Sequence, residues 1–301
     1  MVQPDPRVSI VVISRNRRDE LLENLGRLTR MPEAPSIVVV DNGSTDGSAS
    51  AVAQLFPSIK LITSKNNLGA AGRNLGVAHT ATPYVAFCDN DSWPESDHLR
   101  RAADVLDAHP RLAILSGRVL VGPENVEDPI CQELEQSPVP VEPGMPGPPL
   151  LGFLAGASMV RRSAFLAAGG FEQRLQVGGE EELLAVDLAA SGWWVCYDRE
   201  YTVHHHPSPR RSHTDRRAKV VRNALWAAWL RRSRRGAVRR TAWLASRWKW
   251  DRVTTVGVLN ALAGLPWVLR NRRVVPQHVE AALEALDAQS IAGPPVSPIT
   301  A

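Results

Sequence analysis

Cysteine is scarce in this chain. Its 301 residues include only Cys88, Cys131 and Cys196, odd in number, far apart and without a CxxC or Cys/His metal spacing. A disulfide framework and a zinc site are therefore excluded, and a reducing compartment suits the chain. Long apolar runs are missing too, since no window reaches the roughly 18 uncharged apolar residues needed to span a bilayer. The opening MVQPDPR lacks the basic-then-apolar order of a secretion signal. The expected location is the cytoplasm. No GxxxxGK[ST] occurs anywhere, which excludes a P-loop. Lysine is rare, four against thirty-one arginines, a balance that fits the coding bias of a GC-rich bacterial genome.

The net charge of +4 is unevenly spread. Fifteen Lys/Arg lie between Arg210 and Arg252 beside only Asp215 and Asp251, leaving twenty basic and twenty-nine acidic residues elsewhere. The high isoelectric point belongs to one segment, so a basic nucleic-acid-binding fold is excluded and no nucleic-acid partner is expected.

Val8–Ile13 and Ile37–Val40 are short β-branched runs ending in polar clusters, as buried parallel strands do. A helix over Asp19–Thr29 separates them. Further helices are expected at Ser48–Phe56, Asn67–Ala78 and Pro94–Ala108, with strands at Ile59–Ile62, Tyr84–Cys88, Leu112–Leu120 and Trp194–Tyr197. This alternation predicts an α/β fold with a doubly wound, mostly parallel sheet. In such a sheet SRN at 14–16, DNGSTDGS at 41–48 and DND at 89–91 should face one cleft. Residues 121–149 carry eight prolines and read as a long binding loop with no regular element interior. Residues 1–207 form the expected catalytic domain, 208–288 a basic, Trp-rich helical C-terminal extension, and 289–301 a disordered tail.

Asp89-Asn90-Asp91 ends an apolar strand, so two carboxylates enter the cleft; hard divalent cations take such ligands and leave room for phosphate oxygens. A bare DxD also arises in solvated turns, and placement at a strand end is what gives this one weight. Asp41 tips the second strand, where a carboxylate can accept hydrogen bonds from a base or ribose; the bland alternative is a turn in which Ser44 or Asp46 caps the next helix. Glu180-Glu181-Glu182 would suit any helix start. Alternation along a strand separates His205 from His204 and His206, so the three histidines cannot act together.

VSIVVISRN at 8–16, VVVDNGSTDGS at 38–48, NNLGAAGRNLG at 66–76, YVAFCDND at 84–91 and GGEEELLAVDLAASGW at 178–193 together resemble the family 2 inverting glycosyltransferases of the GT-A, Rossmann-like fold, over roughly residues 7–207. The arginine in the third motif is similar to the rhamnosyltransferase-like branch. The resemblance implies a UDP- or dTDP-linked sugar donor, Mn2+ or Mg2+, and an acceptor that is a glycan, a lipid-linked sugar or a small molecule. It assigns Ser14, Asn16, Asp41, Asn42, Ser44, Asn67, Gly72, Arg73 and Asp89 to the nucleotide-sugar site, with Asp89, Asp91 and His205 as metal ligands. Glu181 is implied as the general base with Glu180 its alternative, because the family's Glu-Asp pair is here Glu-Glu and the later aspartate is Leu183. A sugar nucleotidyltransferase lacks support, since the first strand is followed by SRNRR and no glycine-rich loop; a noncatalytic accessory protein would not need these carboxylates. Processive synthesis is disfavoured by the absence of QxxRW. The tryptophans and arginines of 210–252 suit either packing on the catalytic domain or peripheral contact with the inner face of a membrane, and packing is favoured.

Overall fold

A computed structural model of the chain describes residues 5–207 and 214–292. Strand β1 (Val8–Ser14), helix α1 (Arg18–Leu28), β2 (Ser36–Asp41), α2 (Ser48–Leu55), β3 (Lys60–Thr63), α3 (Gly72–Ala78) and β4 (Tyr84–Asp89) follow the predicted alternation. Next come β5 (Ser92–Pro94), α4 (His98–Ala108), β6 (Leu112–Val121), β7 (Val126–Glu127), α5 (Ile130–Glu135), β8 (Ser158–Arg161), α6 (Arg162–Ala167), α7 (Glu180–Ala190) and β9 (Trp194–His205). Helices α8 (Thr214–Arg231), α9 (Arg234–Arg247), α10 (Arg252–Ala263), α11 (Leu265–Arg270) and α12 (Gln277–Ala292) form the extension.

The sheet runs β3-β2-β1-β4-β8-β6-β9-β5, with β7 on the edge of β6. Pairs β1/β2, β1/β4, β2/β3 and β6/β9 are parallel, while β8 lies antiparallel between β4 and β6. Buried Val and Ile dominate β1 and β2, the composition of strands covered on both faces. Leu21, Leu25 and Leu28 bury one face of α1. The chain winds outward through β2 and β3 and returns to the other side of β1 with β4. That reversal opens a crevice at the strand ends, where ligands of doubly wound sheets bind. Register brings Ser14 beside Asp41 and Ile13 beside Asp89.

Several predicted boundaries move. The Asn67–Ala78 helix begins only at Gly72, after a 3-10 turn at Gly69–Ala71, because the Asn67 side chain accepts from the Gly69 amide (2.9 Å) and holds a local turn. Pro94 belongs to β5, and Asp97, in the left-handed region at φ 72°, delays α4 to His98. The Pro-rich 121–149 segment contains β7 and α5, contrary to expectation, since its prolines avoid both interiors and Pro129 stands just before α5. Strand β9 continues through His205, eight residues beyond its predicted end at Tyr197. Helix α12 runs four residues into the predicted tail, and 293–301 lie outside the described residues, as do Arg210 and Arg211.

The extension packs against the sheet domain. Leu175 and Leu183 join Trp226, Leu230, Ala261 and Val268 in one buried cluster, and Val139, Leu151 and Val186 join Val275, Val279 and Leu283 in another. The Trp226 indole donates to the Ala261 carbonyl (3.0 Å), and Trp229 donates to Thr241 (3.1 Å). Arginines are consumed internally as well: Arg231 pairs with Asp187, Arg217 with Asp251, and Arg232 and Arg240 both with Asp287. Trp226 and Trp229 thus pack within the molecule. No described helix is long and apolar enough to cross a membrane.

Candidate active site

A cleft of about 590 Å³ opens at the C-terminal ends of β1 and β4 and is lined by Ser14, Asn42, Arg73, Asp89, Glu180, Glu181 and His205. Seven of the residues implicated from sequence therefore share one wall system. Ser14 and Asp41 are buried, and the Ser14 hydroxyl and the Asp41 Oδ1 have no protein partner, as expected of polar atoms awaiting a ligand or water. Asp41 Oδ2 accepts from the Ser44 amide (3.1 Å). Asn16, at φ 52°, is tied to the same turn: its amide donates to Ser44 Oγ (2.9 Å) and its Oδ1 accepts from the Thr45 amide (2.8 Å). Asn16, Asp41 and Ser44 thus build the rim beside the cleft. Asn42 reaches across to donate to the Gly69 carbonyl (3.0 Å). Gly72 makes room for it, since a Cβ there would stand 2.6 Å from Asn42 Oδ1. Asn67 and Gly72 shape this wall and do not line it.

Asp89 ends β4 and lines the cleft, whereas Asp91, on the tight connection to β5, is buried and does not line it. Fully buried Asn24 of α1 pins this connection by donating to the carbonyls of Asp89 (3.0 Å) and Ser92 (2.8 Å). Gly156 leaves room for the Asp89 carboxylate, since a Cβ would lie 2.7 Å from Asp89 Oδ2. Buried Arg73 pairs with Asp89 Oδ1 at 2.5 Å. The β5/β9 pairing sets Ser92 opposite His205 and brings the His205 Nε2 to 3.6 Å from Asp91 Oδ1. His204 and His206 turn instead to the Trp93 ring, as strand alternation requires. Among the described residues no three Asp, Glu, His or Cys side chains converge as a cation site. The donor chemistry nonetheless fits a divalent ion: a carboxylate and an imidazole stand side by side at Asp91 and His205, and Asp89 keeps Oδ2 outside its bond to Arg73.

The first turn of α7 forms the opposite wall. Glu180 is buried, and loss of solvation, then the neighbouring Glu181 charge, push its carboxyl well above the usual range. Burial likewise raises Glu181, opposed by nearby Arg73; its Oε1 accepts from the Ala155 amide at 3.4 Å. Glu182 lines a separate small crevice with Ala224 and Arg231 of α8. The helical rotation of successive side chains therefore leaves two of the three glutamates in the cleft.

Among the lining residues that escaped the sequence reading are Asp128 and Glu133 from around α5, Gln176 before α7, and Arg216 from α8. Asp128 and Glu133 come from the segment read as a loop, and Arg216 from the extension. The acidic side chains of the Pro-rich stretch were the only signal available.

Residues 9–167 match the family described as Glycosyl transferase family 2, and the chain belongs to that family. It is 27% identical over 239 residues to N-acetylglucosaminyl-diphospho-decaprenol L-rhamnosyltransferase of Mycobacterium tuberculosis, covering 65% of this chain and 75% of that protein. Among solved structures it resembles the mannosyltransferase PcManGT from Pyrobaculum calidifontis in complex with GDP-Man and Mn2+, at a TM-score of 0.57 and 22% identity, covering 97% of this chain and 79% of that one. It also resembles TarS of S. aureus, at a TM-score of 0.54 and 18% identity, covering 95% of this chain and 53% of the other. The chain is a glycosyltransferase of GT-A fold.

Proposed function

We propose that this glycosyltransferase is metal-dependent and inverting, and that it takes a UDP- or dTDP-linked sugar. The observation that carries the reading is the meeting in one cleft of the strand-end pocket at Ser14 and Asn42, the Arg73–Asp89 pair and the Glu180–Glu181 pair. The nucleotide would lie along β1 and β2, with Asp41 and Asn16 at its base and ribose. Its diphosphate would then reach Arg73, whose permanent charge can exchange Asp89 for phosphate oxygens. Asp91, His205 and the Asp89 carboxylate so released would hold Mn2+ or Mg2+. Such an ion, when bound, neutralises charge on the departing diphosphate.

The acceptor hydroxyl oxygen attacks the anomeric carbon from the face opposite the diphosphate. The carbon–oxygen bond to the diphosphate breaks, its electron pair leaves with the nucleoside diphosphate, and Glu181 takes the acceptor proton. Burial raises the affinity of Glu181 for protons, which suits a proton acceptor. Asp128, Glu133 and Arg216 border the acceptor side, and the name of the mycobacterial relative makes a lipid-linked diphosphosugar a first acceptor to try.

A melting-temperature screen against UDP-, dTDP- and GDP-linked sugars, with and without Mn2+, tests donor binding, because a ligand of the native state raises the midpoint. NMR of the transferred sugar then reads its anomeric configuration. Retention of configuration would overturn the inverting reading, and donor binding indifferent to metal and chelator would overturn the cation's role.

A further inference from the structure

Helix α10 is apolar on two opposite faces. Its inner face, with Thr254, Gly257 and Ala261, is buried on α8, where a Cβ on Gly257 would meet the Ala218 carbonyl at 2.7 Å. Its outer face carries Val256, Leu259 and Leu262, which are 42%, 59% and 59% exposed, and continues onto α11 through Leu265 and Leu269, at 37% and 56%. A solvated helix carries polar residues on its outer face. Here large aliphatics fall on one stripe at helical spacing.

Charge along this stripe is cationic, Asp251 at the start of α10 being paired with Arg217. From Arg252 to Val279 the sequence contains no acidic residue and four arginines. Arg272 is turned inward, bonded to the carbonyls of Trp229 and Arg232, whereas Arg252, Arg270 and Arg273 are exposed. Exposed Arg247 and Lys249 precede α10, together with Trp250, which is 60% exposed. An apolar centre with cationic ends and an indole at one margin matches an anionic phospholipid interface. A second copy of this chain fits poorly, since the face would set arginines against arginines.

We propose that the α10–α11 face docks on an anionic phospholipid surface, placing Val256, Leu259, Leu262 and Leu269 at the acyl boundary and Arg252, Arg270 and Arg273 on headgroup phosphates. This surface is separate from the packed tryptophans of α8, and the inference does not depend on the identity of the transferred sugar. Each exposed cation near such a surface strengthens binding by about fivefold, an effect that salt screens within about 8 Å at physiological ionic strength.

The full-length protein is sedimented with phosphatidylglycerol/phosphatidylcholine vesicles and with phosphatidylcholine vesicles alone, at low and high salt. The wild-type protein should partition onto the anionic vesicles and come off as salt rises. Leu259→Asp with Leu262→Asp should weaken partitioning by at least about tenfold, and Arg252→Glu should weaken it at low salt alone. Because these side chains are exposed, the variants should melt at the wild-type temperature. Quenching of wild-type tryptophan fluorescence by brominated lipid, reduced in Trp250→Phe, tests the same contact with the leucines intact. The proposal is overturned if the wild-type protein ignores anionic vesicles at low salt or if the leucine variant binds them equally well. It is equally overturned if sedimentation velocity without lipid shows a dimer that the leucine variant dissociates.

Discussion

Glu180 and Glu181 begin the same helical turn in one poorly solvated wall, so each charge makes the other harder to form. Such a pair titrates as a unit. The base must be ionised to act, so the rate of transfer should rise with pH, and the acid limb of kcat/KM should lie above the ordinary carboxylate range. Glu181→Gln keeps volume but cannot accept a proton, and should cost about 10² to 10⁴ in kcat while donor binding survives. Glu180→Gln should stay active with its acid limb moved to lower pH, because the survivor has lost a neighbouring negative charge. Glu182→Gln, on the far side of α7, should behave as wild type; if it alone is dead, the assignment of the base is wrong. The same burial has a cost in stability. In the folded state Glu180 keeps a proton that the unfolded chain releases above about pH 4.3, so the fold loses stability as pH rises from there until Glu180 ionises in the native protein. Urea midpoints at about pH 5 and about pH 8 should therefore differ less in Glu180→Gln than in the wild-type protein. Across the cleft, Asp91→Ala should abolish any Mn2+-dependent gain in donor affinity measured by calorimetry, with the melting temperature of the free protein little changed.

At the scale of elements, the cleft is held by side chains that never enter it. Asn223 of α8 is fully buried and donates to three carbonyls of the segment that leads into α7: Leu175 (2.8 Å), Val177 (3.1 Å) and Gly178 (2.6 Å). A helix outside the matched family region thus fixes where Glu180 and Glu181 stand. Asn223→Ala leaves those carbonyls without their donor, and an error of about 1 Å in position can cost about 10²-fold in rate. The expected result is a fall in kcat with donor KM unchanged, partly rescued by Asn223→Gln; equal losses in kcat and thermal stability without rescue would mark a purely structural role. Such positioning residues explain why the sequence was legible only in part. Strands β1 and β2 announced themselves because continuous Val and Ile have few other uses, and DND stood where the apolar run of β4 stopped. Asn223 and Asn24 carry no local pattern, since the carbonyls they donate to are 45 and more residues away along the chain. The Pro-rich segment concealed α5 for a related reason: composition over 29 residues averaged away a six-residue helix that its own prolines flank.

At the scale of the whole molecule, the division into a sheet domain and a helical extension is a division of sequence composition, and the buried clusters run across it. Val139, Leu151, Leu175, Leu183 and Val186 belong to the first part and are covered by Trp226, Leu230, Val268, Val279 and Leu283 of the second. Arg231 closes the same interface on Asp187 of α7. A chain ending at residue 207 would expose those aliphatic side chains, at about 1.5 to 3 kcal/mol for each one returned fully to water, and would lose the three donations of Asn223 as well. Stability of an ordinary domain is only about 5 to 15 kcal/mol, so this loss is enough to prevent independent folding. Residues 1–207 should accordingly express as aggregated or loosely packed protein, without nucleotide-sugar binding. The full chain should melt in one transition whose calorimetric and van't Hoff enthalpies agree. Trp226→Ala, which empties the middle of the interface, should lower stability by about 3 to 5 kcal/mol. Two resolved transitions in the full chain, or a 1–207 fragment that melts cooperatively and binds donor as tightly as the intact protein, would mean that the helices are an appendage and that α7 holds its glutamates in place without them.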